Sequence, residues 1–227
     1  RNVEDCAIVF DAIRGPDGID QSVIDLPFNY DHQILPEQVR IGYLKEDFEN
    51  DTIYYEYNYS ALEMMRALGF DLIEMELPRM PINPMQIILS AEAAAAFDEH
   101  TRSGRDDLMV RQIKNAWPNV FRASRFIPAV EYIQANRLRE IAIDSMAAIM
   151  ENIDVYMSPT FEGDNLLLTN LTGHPCVVLP NGFAEDGTPV SITFIGGLYD
   201  EATLLAVAKI YQDATDFHLK HPPLFEE

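Results

Sequence analysis

VRIGYL at residues 39–44 and DLIEMEL at residues 71–77 bracket DTIYYEYNYSALEMMRALG at residues 51–69. The outer stretches predict two strands. The inner one predicts a helix that Asp51 caps, that runs to Leu68 and that Gly69 closes. Strand, helix and strand within about 40 residues form a βαβ unit, so the two strands should be parallel with a right-handed crossover.

Working outward, residues 2–14 predict a helix. Asn2 is its N-cap with Asp5 at the third position, and Val3, Ala7, Phe10 and Ile13 recur at helical spacing. Gly15 and Pro16 stop it, and residues 16–37 read as a loop. Beyond Leu77, Pro78, Pro81 and Pro84 break the chain. Ala91 and Ala93–Ala96 predict a small-faced helix packed closely on a neighbour. A polar loop follows at 103–106, and Trp117-Pro118 should end another short helix. The longest helix should run from Pro128 to Met150. Its apolar stripe would be Val130, Ile133, Leu138, Ile141, Ala142, Met146 and Ile149.

The last third changes character. Val155–Met157 predicts a strand ending at Ser158-Pro159-Thr160. Cys176–Leu179 is an apolar run of the kind expected for a strand buried on both faces. Glu185-Asp186-Gly187 signals a tight turn into a strand at 190–195. Asp200 then caps a helix to about Ala214, followed by a polar tail. The organisation expected is one region: a βαβ unit at about 38–77, a helical segment at about 84–150 and a sheet-forming segment at about 153–214.

The 227 residues suffice for a sizeable core, and 48% of them are hydrophobic, too many for a disordered chain. The formal net charge is −21. Such a field opposes direct nucleic-acid binding and anionic membrane surfaces. No run reaches the ~18 apolar residues of a membrane span. Cys6 and Cys176 read as small buried hydrophobes rather than a disulfide or zinc framework, which is compatible with cytoplasm. The chain opens on Arg1 rather than Met, which points to a preceding segment.

Catalytic signatures are sparse. There is no Gly-x-Ser-x-Gly elbow, and no serine sits in a Gly-rich turn. His174 and Cys176 flank Pro175 and would lie side by side, a poor geometry for a base and its nucleophile. The five histidines show no metal-ligand spacing, and Gly196-Gly197 lacks the Lys-Ser/Thr of a phosphate loop. The residues describe an acidic α/β chain without a complete active site.

Several blocks together resemble the carboxyl-terminal half of the amidase signature family. They are Arg1 to Ala7 leading to Ile13-Arg14-Gly15-Pro16-Asp17 and Asp20, Arg137–Glu140, Asp154-Val155 to Pro159-Thr160, and Asn170-Leu171-Thr172-Gly173-His174-Pro175. Pro180-Asn181-Gly182-Phe183, Gly187-Thr188-Pro189-Val190 and Asp200-Glu201-Ala202-Thr203-Leu204-Leu205 follow in the same order. The resemblance implies a three-layer α/β/α fold around a mixed β-sheet. It implies hydrolysis or transfer at amide carbon–nitrogen bonds by a Ser–cis-Ser–Lys mechanism, without metal or cofactor. In that family the triad lies in the amino-terminal half, so no catalytic residue carries over. The partners implied are that half of the same protein, a small amide substrate and a second copy of the chain.

Asp164, Asn165, Asn170, Thr172 and His174 are the candidate substrate-binding residues. The turn expected over Asn170–Pro175 could pack against the catalytic loop or merely connect a helix to a strand. The segment between Thr160 and Asn170 is shorter than the resemblance leads one to expect. Residues that would read free glutamine do not align clearly, which favours a stand-alone amidase over the A subunit of a glutamine-dependent amidotransferase. A non-catalytic assembly module on the same fold is the third reading. Arg122 and Arg125 should serve surface or structural ion pairs.

Overall fold

A computed structural model describes residues 2–221. Arg1 and the end of the polar tail, from residue 222, lie outside them. The chain divides into two compact units. One takes the residues up to Leu77 together with those from Ala147 onward, and the other is Pro78–Met146.

The first unit begins with α1 (Val3–Ile13), where the Asn2 side chain accepts from the Asp5 amide at 2.8 Å. Strand β1 (Ile41–Leu44) follows, then α2 (Lys45–Asn50), α3 (Tyr55–Ala67) and β2 (Leu72–Met75). The helix expected from Asp51 therefore starts later, and a second helix precedes it. Asp51 is buried, and its carboxylate accepts from the amides of Ile53 and Tyr54, which turns the chain into α3.

The second unit is helical: α4 (Ile87–Ala96), α5 (Asp98–Arg102), α6 (Trp117–Ser124) and most of α7 (Ala129–Met150). Trp117-Pro118 starts α6 instead of ending a helix. A proline in the first turn forfeits only an amide that has no intrahelical acceptor. Phe121 stacks between Phe97 and Trp117, with centroids 4.9 and 5.5 Å away. Arg122 pairs with Asp106 and Asp107, and Arg125 with Asp98, so both arginines serve ion pairs within this unit. The apolar stripe expected on α7 is only partly buried. Ala142 and Met146 face inward with Ala135, but Val130, Ile133, Leu138 and Ile141 are exposed.

Returning to the first unit, the chain adds β3 (Val155–Pro159), α8 (Asn165–Thr172), β4 (Cys176–Phe183), β5 (Pro189–Gly196) and α9 (Glu201–Thr215). The five strands form one sheet in the order β2-β1-β3-β5-β4. β1 is parallel to β2 and β3, while β5 is antiparallel to β3 and β4, so the sheet is mixed. Alternate residues serve the two faces. Ile41, Tyr43, Val155, Met157, Ile192 and Phe194 meet α1, α3 and α9 in the main core. Tyr156, on the opposite face, bonds to α8. This is the α/β sheet with helices on both sides that the sequence suggested.

β4 does not match its expected burial. It is an edge strand, and Cys176, Val178 and Pro180 are exposed, as is Cys6 on α1. The run is apolar enough for two-sided cover, but an edge strand has a neighbour on one side only, and this face of β4 is open. Cys6 and Cys176 line one groove of about 580 Å³ with Phe10, Val177, Leu204 and Leu205. The hairpin from β4 to β5 turns where expected, with the Thr188 amide held by Asp186.

Candidate functional site

β1 and β3 are parallel, so their carboxyl ends open at the same edge of the sheet. In open α/β sheets, ligands bind outside that edge. β1 delivers the chain into α2 and places Asp47 there. β3 delivers it through Ser158, Pro159 and Thr160 into the short segment 161–164 and then α8.

The floor is polar and buried. Tyr156 is fully buried, and its hydroxyl donates to Asn165 Oδ1 at 2.7 Å. Burial pushes the Tyr156 hydroxyl far above its usual range, so it stays protonated and anchors α8 to the sheet. The hydroxyls of Ser191 and Thr193 both donate to Thr160 Oγ1 at 3.0 Å, which fixes the carboxyl end of β3 against β5.

Asp47 is the group that the sequence did not reveal. Its carboxyl occupies the space that a side chain at position 163 would fill: a Cβ added to Gly163 would lie 2.6 Å from Oδ1 and 2.7 Å from Oδ2. Gly163 also has φ +62°, so glycine meets two demands at once. Asp47 Oδ2 is buried without a hydrogen-bond partner. Burial first, then the charges of Glu162, Glu46 and Asp164, push this carboxyl up to about 6.

Residues 165–172, NLLLTNLT, form α8, so the turn expected over Asn170–Pro175 is in part the last turn of a helix. Gly173, with φ +85°, ends it in the left-handed conformation, and the amides of Gly173 and His174 both donate to the Thr169 carbonyl. Asn170 is exposed and donates back to the Leu166 carbonyl at 2.7 Å, within its own helix. The Thr172 hydroxyl donates to the Leu168 carbonyl at 2.9 Å. It lies 2.8 Å from His174 Nδ1, so it accepts that nitrogen's proton and leaves Nε2 as the ring's acceptor. Burial lowers the His174 pKa and favours this neutral ring.

The five candidates thus fall into two groups. Asp164 and Asn165 join Asp47 at the sheet edge, while Asn170 and Thr172 lie in the last turns of α8 and His174 just past its end, Thr172 being roughly 10 Å from Asn165 along the axis at 1.5 Å per residue. Among the described residues, no serine hydroxyl bonds to a lysine or histidine side chain, and no three His, Cys, Asp or Glu side chains converge to hold a metal ion. No described helix is long and apolar enough to cross a membrane. The arrangement can wall a pocket and bond to a polar substrate group, but it offers no paired nucleophile and base.

Comparison with known proteins agrees with this architecture. The A subunit of the glutamyl-tRNA(Gln) amidotransferase of Microcystis aeruginosa (strain NIES-843 / IAM M-2473) is 25% identical over 266 residues, which take in 98% of this chain and 55% of that protein. Its counterpart from Methylococcus capsulatus (strain ATCC 33009 / NCIMB 11132 / Bath) is 27% identical over 267 residues, covering 98% and 55%. This chain spans about half the length of the curated relatives it matches. The alignments are longer than its 227 residues, so the relatives carry segments that it lacks within the matched region.

Among solved structures, a bacterial aryl acylamidase of the amidase signature enzymes superposes with a TM-score of 0.76 at 18% identity, over 96% of this chain and 52% of the other. The peptide amidase of Stenotrophomonas maltophilia gives 0.71 at 21%, over 100% and 54%. At these identities the likeness is one of fold. The Amidase family model matches residues 1–168, about three quarters of the sequence, and the chain belongs to that family.

Proposed function

We propose that this chain is the carboxyl-terminal part of a hydrolase acting on amide carbon–nitrogen bonds, and that it supplies scaffold and one wall of the substrate pocket. The observation that carries this reading is the sheet-edge site: it has a buried polar floor and a polar rim but no nucleophile paired to a base. A Ser–cis-Ser–Lys set would come from residues outside the 227. Asp164 and Asn165 would contact substrate at the edge, and Asn170, Thr172 and His174 would face the catalytic segment.

The partner this reading requires is the rest of the same polypeptide. The free edge of β4 and its open apolar face are where such a segment would add to the sheet. The free thiols of Cys6 and Cys176 suit a reducing compartment such as cytoplasm. The test is release of arylamine from a simple aryl amide. The purified 227-residue chain should show none, and a chain extended upstream through a Gly/Ser-rich segment with paired serines should turn over. Turnover by the 227 residues alone overturns the proposal.

A second reading is favoured by the curated relatives, which are A subunits of amidotransferases. Under it the substrate would be glutamine, and the extended protein would co-purify with a tRNA-binding partner protein. Co-purification together with glutamine hydrolysis would select this reading over the stand-alone amidase. An extended protein with neither activity would support a non-catalytic assembly module.

A further inference from the structure

Asp47 fits none of the roles that the rest of the unit assigns to its acids. Asp51 is satisfied by two backbone amides and the Asn58 side chain, and Asp154 by Arg40. Asp47 has a buried oxygen without a partner, lies against the backbone of Gly163 and faces other acids. The groups around it come from three elements: Glu46 on its own helix α2, Glu162 and Asp164 from the segment before α8, and Tyr156 from β3. Tyr156 is committed to Asn165 as a donor. The nearest cation in sequence, Lys45, is held 3.0 Å from Glu74. Nothing on these elements neutralises Asp47, so a proton is the group that can.

We propose that Asp47 is a proton-operated latch on the 161–164 segment: with its carboxyl protonated the segment lies down on α2, and with the carboxylate ionised the segment is released. The contact is built for this. Gly163 brings the backbone to van der Waals range of the carboxyl, and no side chain intervenes. Ionisation places a charge beside Glu162 and Asp164, which ride on the segment, and both are therefore pushed away from α2. The carboxyl's upward displacement, to about 6, places the change between the ordinary carboxylate range and a pH of about 6. The consequence for substrate entry rests on the amide-hydrolase reading, in which this segment walls the pocket. The ordering of the segment does not.

The test is hydrogen exchange across residues 160–166 of the whole chain from about pH 3.5 to pH 8, corrected for intrinsic exchange. Protection should fall as pH rises from the ordinary carboxylate range, by at most about tenfold per pH unit while opening is governed by this one proton, and should level off above about 6, where the carboxyl is ionised whether the segment is down or released. Asp47→Asn keeps the shape and removes the titration, so its protection should stay flat. Glu162→Gln removes one opposing charge and should move the wild-type midpoint to lower pH. That keeps the test open if Asp47→Asn fails to fold. A flat wild-type profile, a step that survives in Asp47→Asn, or a midpoint unmoved by Glu162→Gln overturns the latch. No turnover is measured, so failure of the amide-hydrolase reading would leave these outcomes readable.

Discussion

Asn181 shows how one side chain can hold three elements together. It lies in β4, fully covered, and donates through Nδ2 to the Tyr57 carbonyl at 3.1 Å and the Asn58 side chain at 3.2 Å. Its Oδ1 accepts from the Tyr211 hydroxyl of α9 at 2.6 Å. Asn58 in turn donates to Asp51, which starts α3. All four side chains are buried, so each bond satisfies a group that water cannot reach. Asn181→Ala would orphan the Tyr211 hydroxyl and one Asn58 acceptor together. Leaving a buried polar group unmade costs about 1–3 kcal/mol, and here more than one is exposed to that cost. We expect a loss of about 2–4 kcal/mol, read as a lower urea midpoint at unchanged m-value. Tyr211→Phe in the Asn181→Ala background should recover part of it, because it removes an orphan. If the second change costs as much as it does alone, the two groups are not coupled. The sequence marked Asn181 only as part of a family-like block, because its partners come from α3 and α9, far away along the chain.

Element by element, what the sequence disclosed is what local chemistry decides. Asn2 and Asp200 cap their helices through bonds to amides three residues on, and Asp186 holds the turn between β4 and β5. These are contacts within a few residues, so composition announces them. Cys176–Leu179 is equally apolar to the eye, yet its burial depends on which strand lies beside it and what covers the face, and neither is written locally. The stripe on α7 fails for the same reason: 3.6-residue spacing finds a face, but not whether anything packs on it. Trp117-Pro118 failed because a proline near a helix end fits a start as well as a stop. Asp47 was invisible because its neighbours arrive on a segment more than a hundred residues later. α8 was hidden behind its own cap. Gly173 supports a test at this scale, since a side chain there meets nothing nearer than Leu198 Cδ2 at 3.8 Å. Gly173→Ala should therefore cost only the left-handed conformation, about 1–2 kcal/mol. Gly173→Asn, which tolerates that conformation better, should cost less. Equal losses in the two variants would mean that packing, not backbone conformation, sets the requirement.

At the scale of the molecule, two opposing surface terms decide how the chain behaves in water. One is apolar: Val178 on the open face of β4, the groove beside Phe10 and Leu204, and, in the helical unit, Val130, Ile133 and Ile141, each more than half exposed. Contiguous apolar surface of this kind marks places that another polypeptide covers. The other term is the charge of −21, which drives copies apart. Salt separates the two. At ~10 mM ionic strength the Debye length is about 30 Å, so repulsion between copies reaches across the surface and should keep the chain monomeric while its apolar faces stay open to a hydrophobic dye. At ~1 M the length is about 3 Å and repulsion is confined to contact, so copies should associate and dye binding per chain should fall. Sedimentation velocity with dye fluorescence across that range reads both quantities. If the rest of an amidase-family polypeptide covers these faces, the upstream-extended protein should bind less dye and lose the salt-driven association. A 227-residue chain that binds no dye and stays monomeric at every salt concentration would show that its apolar faces are not a docking surface, and the shared-sheet reading would fall with them.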